Sequence, residues 1–250
     1  MGGWYFKGML IAIGFFIIHE CIRILDNAGS PVDLLFPYTI GLWIMLSQEI
    51  PFSFEIGLGI FLLFIAIQTF NDSSNNLSEL TGTLFAGFYA PIGILCLMII
   101  DGFGDAHQGF LLTIMVMLMV WGADVFAYFG GKTFGKHPLA PHISPKKTWE
   151  GFFSGYLGSM VGAFLIYYLV PIESPILAVQ IIPMALLVAT FGPIGDLMES
   201  KLKRKANMKD SSTILPGHGG FFDRFDALLL GAPVALIYLK VLEILGYVSF

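Results

Sequence analysis

The sequence predicts an all-α protein, a polytopic transmembrane helical bundle of about eight spans joined by cytoplasmic loops. Three observations lead there. Only 12% of the 250 residues are charged and 56% are hydrophobic, with a mean hydropathy of +0.79, whereas soluble domains carry about 25% charge. Apolar runs near the roughly 20 residues needed to cross a bilayer recur along the chain. Most of the 13 Lys and Arg residues fall in two stretches, 130–151 and 196–226.

Taken in order, the predicted spans are 6–25, 34–49, 52–70, 83–100, 109–129, 152–170, 176–193 and 227–247. The first carries His19, Glu20 and Arg23 near its end and lacks a small-residue cleavage pattern, so it reads as a span rather than a signal peptide. Glu49, Pro51 and Glu55 crowd the junction of the second and third, which form either two crossings or one broken hairpin. A polar connection, 71–80, precedes the fourth span. The apolar runs are too long for strands and lack the alternation of a membrane barrel. The two basic stretches are predicted to be cytoplasmic, and the two spans between them return the chain to the same side. With eight spans, both termini face outward. Cys21 and Cys96 lie inside apolar runs, without metal-ligand spacing, and read as packing residues.

Two fragments look chemical and fail. His19-Glu20 opens like a zinc-protease helix, but Arg23 stands where the second histidine must be. Gly131-Lys132-Thr133 resembles the end of a phosphate-binding Gly-rich loop, yet Phe126 occupies the place of its first glycine and a membrane span precedes it.

The stretch 121–151 is richer. Lys132, Lys136, Lys146 and Lys147 could each serve as a topology signal. Asp124 ends an apolar run, where a carboxylate is costly unless paired, hydrated or bound to a cation. In Ser144-Pro145-Lys146-Lys147-Thr148-Trp149-Glu150-Gly151, Pro145 stiffens the approach to the next span and Ser144 or Thr148 can cap it. Paired lysines beside a helix start attract phosphate.

Between Ser200 and Asp226 stand Lys201, Lys203, Arg204, Lys205, Lys209 and Arg224, interleaved with Asp210, Asp223 and Asp226. A topology signal needs only the cations. Asp223 and Asp226 are three apart, which on a helix entering the last span places them on one face. With Asp196 they could hold hard cations through oxygen ligands, or they could pair with surface bases. Pro216-Gly217-His218-Gly219-Gly220 supplies a tight turn whose N–H groups can form an anion nest, with His218 as a phosphate donor.

At these residues the chain resembles the phosphatidate cytidylyltransferase family, also called CDP-diacylglycerol synthases. Ser200, Leu202, Lys203-Arg204, Lys209-Asp210, Ser212, Pro216, His218-Gly219-Gly220, Asp223-Arg224 and Asp226 match one family pattern. Asp124, Ala127-Tyr128, Gly131-Lys132 and 144–151 match a second. The resemblance covers roughly 80–240, which divides the chain into N-terminal spans, 1–80, and a catalytic transmembrane region, 81–250, with cytoplasmic loops 130–151 and 196–226.

The resemblance implies that the phosphate of phosphatidic acid attacks the α-phosphorus of CTP in the plasma membrane, with the active site facing the cytoplasm. Pyrophosphate leaves, and CDP-diacylglycerol remains in the bilayer. It implies Mg2+, as two divalent ions or one with a monovalent partner, held by Asp196 and Asp223 with Asp226 and Asp124. Lys203, Arg204, Lys209, His218 and Arg224 would hold phosphates, with Lys146, Lys147, Ser200, Gly219 and Gly220 at the substrates. A homodimer is expected on the same ground, and no nucleic-acid partner. Two rivals are a CTP-dependent enzyme acting on another lipid phosphate and an ion-coupled transporter, whose site should lie at the bilayer midplane.

Overall fold

The computed structural model describes residues 3–70, 76–169, 176–217 and 219–248. The protein is a helical, multi-pass membrane protein. Its helices are α1 (Trp4–Asn27), α2 (Phe36–Leu46), α3 (Ser53–Thr69), α4 (Asn76–Asp101), α5 (Ala106–Phe134), α6 (Trp149–Leu169), α7 (Ala178–Lys205), α8 (Phe222–Phe225) and α9 (Leu228–Ile244), with a small hairpin, β1 (Pro138–Ala140) and β2 (Ser144–Thr148). Each predicted span contains an apolar helix. Of the predicted polar connection, 71–75 lies outside the described residues.

Among the described residues, six stretches are long and apolar enough to cross a membrane: α1, most of α4, α5, α6, α7, and α8 with α9. The second and third predicted spans are the shorter ones. The 11 residues of α2 rise only about 16 Å and the 17 of α3 about 25 Å. They pack together, with Trp43 Nε1 donating to the Ser53 carbonyl at 2.7 Å. Asp33 opens α2 by accepting from the N–H groups of Leu35 and Phe36 at 2.7 and 2.9 Å. Whether this pair crosses twice or re-enters, the sidedness of everything after it is unchanged.

The chain forms two compact units. The first comprises Met1–Lys7, Cys96–Ser200 and Asp226–Phe250, and the second Gly8–Leu95 and Lys201–Phe225. The core of the second includes Phe36, Ile40, Ile44 and Phe64, with Phe36 set edge-on to Phe64 at 4.8 Å.

The tightest packing in the first unit is α5 against α6. Gly151, Gly155, Gly158 and Gly162 recur every third or fourth residue of α6, and a Cβ on Gly158 or Gly162 would run into the α5 carbonyls of Gly122 or Leu118. Small residues let membrane helices approach backbone to backbone where lipid supplies no hydrophobic drive. α5 starts in a capping box, the Asp105 carboxylate accepting from His107 and Gln108 N–H at 2.8 and 2.9 Å.

Both basic stretches hold more regular structure than the predicted loops. α5 runs on to Phe134, and the β1–β2 hairpin follows, pairing Pro138 with Thr148 and Ala140 with Ser144. Thr148 Oγ1 accepts from Gly151 N–H at 3.2 Å and caps α6, whereas Ser144 lies in the hairpin. α7 passes through Pro183 and Pro193 and ends twelve residues after the predicted boundary, at Lys205. Good helix formers fill 197–205, and Lys203, Arg204 and Lys205 complement the negative end of the helix dipole. Asn207 stops it in the left-handed conformation, φ 53°, with Met208 N–H returning to the Lys203 carbonyl at 2.8 Å, a Schellman-type end.

Candidate active site

Because α7 continues past Pro193, Asp196, Glu199, Ser200 and Lys203 share one helical face at i, i+3, i+4 and i+7. Gly192 and Gly195 leave room for a second segment: a Cβ on Gly195 would strike the Asp226 carbonyl, and one on Gly192 would touch Ala227. The Asp226–Ala227 turn therefore lies directly on α7. One carboxylate oxygen each from Asp196, Glu199 and Asp226 falls within 4.8 Å of the others, all in the first unit.

Three like charges at that separation repel unless a cation sits among them. An all-oxygen, all-carboxylate set of this kind suits a hard divalent ion such as Mg2+. The Lys147 ammonium donates to Asp196 Oδ2, and Ser200 Oγ donates to Oδ1 at 3.2 Å. Asp124, Asp196, Asp226 and Lys147 stand close enough for their charges to act on one another.

Beside this cluster a cavity of about 530 Å³ opens, lined among others by Asp124, Gly131, Lys132, Lys146, Lys147 and Asp196. Its size suits a small-molecule ligand, for which pockets run about 300–1,000 Å³. Glu150 sets the pose of the lysine-bearing hairpin. Its carboxylate accepts from the N–H groups of Lys136 and His137 at 3.1 and 3.3 Å and meets His137 Nδ1 at 2.6 Å. Trp149 N–H closes the base of the hairpin on the His137 carbonyl at 2.9 Å.

A second cluster forms within the other unit. Asp223 Oδ1 receives the Lys203 ammonium at 2.5 Å. Its Oδ2 accepts Ser211 N–H at 2.9 Å and Gly220 N–H at 2.8 Å, and lies 2.9 Å from the Ser211 hydroxyl. The N–H of Gly220, expected to serve an anion nest, is thus directed at a side chain of the same loop. Gly219 has φ 82°, and a Cβ there would meet Asp223 Oδ2, so glycine is required on two counts.

Asp223 and Asp226 do not share a helix face as the spacing predicts. Asp223 lies in α8 and Asp226 in the turn between α8 and α9. That turn breaks the continuous helix, so one acid joins Lys203 and the other joins Asp196. Arg204, Lys209 and Arg224 are exposed, and His218 lies outside the described residues.

Sequence reasoning missed three acids. Glu199 has a signal, its i+3 spacing from Asp196, visible once α7 is known to continue. Glu150 stands inside a quoted motif and needs only the hairpin to acquire a role. Glu20 accepts hydrogen bonds from Ser211, Ser212, Phe221 and Phe222, partners 191 to 202 residues away that no local pattern reveals.

Fold and site together define a multi-pass membrane protein with an acidic cluster and a lysine at the wall of a small-molecule cavity. The chain belongs to the cytidylyltransferase family, whose model matches residues 1–242. It is 40% identical over 167 residues to a Thermotoga maritima protein named phosphatidate cytidylyltransferase, a match covering 64% of this chain and 56% of that protein. Proteins of the same name from Pseudomonas aeruginosa (45% over 123 residues; 49% and 45% of the two chains) and Bacillus subtilis (47% over 116 residues; 46% and 42%) are also similar. The chain spans about half the length of the curated relatives it matches.

Proposed function

We propose that the protein transfers a cytidylyl group from CTP to phosphatidic acid, giving CDP-diacylglycerol and pyrophosphate at the cytoplasmic face of the plasma membrane. The observation that carries this reading is the meeting of Asp196, Glu199, Asp226 and Lys147 beside a cavity of nucleotide-compatible size, in a chain of this family. A phosphomonoester with a second pKa of about 6 is already largely ionised at neutral pH and needs little help from a general base. Holding two anionic reactants together is the harder task, which Lys and Arg clamps around a cation address.

Magnesium fits the three-carboxylate set, and Asp196, Glu199 and Asp226 are the residues that would hold it, with Asp124 at the adjoining wall. When bound it would supply positive charge against the phosphates. Lys147 and Lys146 then orient the nucleotide from the hairpin, Ser200 steadies Asp196, and Lys203, Arg204, Lys209, His218 and Arg224 are assigned to phosphate groups. The ion pair with Lys203 gives Asp223 a positioning part; a ligand role for it belongs to a second ion. A homodimer completes the reading by resemblance.

The test is incubation of purified protein with labelled CTP, Mg2+ and either phosphatidic acid or a prenyl phosphate, followed by analysis of the lipid fraction. Label in CDP-diacylglycerol supports the reading. Label only with the prenyl acceptor reassigns the substrate, and no labelled lipid refutes transfer.

A further inference from the structure

Glu20 lies in the apolar helix α1 with none of its surface exposed, a costly place for a carboxylate unless donors surround it. Oε1 accepts Ser212 Oγ at 2.6 Å and Phe221 N–H at 3.0 Å, and Oε2 accepts Ser211 Oγ at 2.8 Å and Phe222 N–H at 2.7 Å. All four donors come from the two ends of the loop that carries the glycines. The Ser211 hydroxyl also sits 2.9 Å from Asp223 Oδ2, so one side chain joins the buried glutamate to the acid that holds Lys203. A Cβ on Gly220 would collide with Ser211 Oγ and both Glu20 oxygens. One turn earlier in α1, Phe16 stacks on Phe221 with centroids 4.7 Å apart and planes 11° from parallel.

We propose that Glu20 is a positioning residue for the transfer reaction: from α1 it ties both ends of the 211–222 loop together and, through Ser211, sets Asp223 against Lys203. This rests on the cytidylyl-transfer reading. It also gives the first span a part in chemistry whose sequence motifs all lie more than a hundred residues downstream.

The variant Glu20→Gln keeps the side chain's size, but whichever way the amide turns, its NH2 confronts an N–H donor. Three measurements on the purified full chain test the proposal: transfer from labelled CTP to phosphatidic acid in mixed micelles, CTP binding at equilibrium, and amide hydrogen exchange. Turnover per bound CTP is expected to fall about tenfold or more, the loss of roughly one charge-assisted hydrogen bond. Exchange across 211–222 should rise by about the same factor, while CTP affinity and exchange in α5 and α6 stay as in wild type. A merely destabilised protein would lose CTP sites and turnover together.

If Glu20→Gln loosens the whole chain, Ser212→Ala removes a single donor and carries the same test. Wild-type turnover per CTP site, or unchanged loop exchange, in a folded variant overturns the proposal. A wild-type chain with no transfer activity overturns the transfer reading and its use of Glu20, while loop exchange still shows whether Glu20 ties the loop.

Discussion

Asp226→Asn separates a cation site from an accidental meeting of acids. With Asp196, Glu199 and Asp226 oxygens within 4.8 Å of one another, each like-charged pair repels by about 0.9 kcal/mol in water-like surroundings and about 3.5 kcal/mol at an effective dielectric near 20. Neutralising Asp226 cancels two of the three pair terms, and the amide oxygen can still accept the Ala227 N–H that Asp226 holds at 2.7 Å. The Lys147 charge offsets part of the repulsion, so the relief is placed at about 1–2 kcal/mol, or about 2–8 °C in Tm for a chain of this size. In chelator, Asp226→Asn should therefore melt at or above wild type. Adding Mg2+ reverses the order: at about 100 times its Kd, a ligand bound only to the folded state stabilises by about 2.7 kcal/mol, and only wild type keeps the full ligand set. The assay is thermal unfolding in detergent, with and without Mg2+. Equal Mg2+ shifts in the two proteins, or a less stable variant in chelator, would refute the argument.

Lys147→Ala removes the cation beside Asp196 from the cavity wall and should raise the CTP Kd by about tenfold or more, measured by equilibrium dialysis. Gly158→Ala should destabilise by about 1–3 kcal/mol through overpacking on the Gly122 carbonyl, whereas Gly59→Ala, with nothing within 4 Å of its Cβ, should gain up to about 1 kcal/mol from helix propensity; their melting temperatures should move in opposite directions. Thr148→Ala removes the α6 cap and should cost about 1 kcal/mol, seen as faster amide exchange in the first turn of α6.

The helices were legible because a bilayer imposes length and hydropathy together, and both are properties of composition over a window of about 20 residues. Their ends were less so. Pro193 marks a boundary by local rules, yet α7 continues because packing and a run of strong helix formers outweigh one missing N–H. The β1–β2 hairpin, built from Pro-Leu-Ala and Ser-Pro-Lys-Lys-Thr, has no alternating apolar pattern and is fixed by Glu150 and the Trp149 N–H from outside the strands. In the site, spacing placed Asp196 near the membrane end of its span but could not separate Asp223 from Asp226, because the turn between α8 and α9 is decided by the close seat that Gly192 and Gly195 offer.

Two kinds of acid emerge that look alike in one-letter code. Asp223 and Glu20 accept N–H and O–H donors on both oxygens, and a carboxylate so supplied is fixed in place and well suited to hold other groups still. Asp196 also accepts Lys147 and Ser200, but it, Glu199 and Asp226 bring one oxygen each within 4.8 Å of one another, an arrangement whose repulsion is relieved by a cation. The glycines follow the same division: Gly219 and Gly220 make room for donors to reach the first kind, while Gly192 and Gly195 bring the second kind together. Substitution at each glycine should therefore reproduce the defect of the acid it serves, loop exchange at Gly220→Ala and the Mg2+-dependent melting shift at Gly195→Ala, and an exchange of those phenotypes would show that the division is wrong.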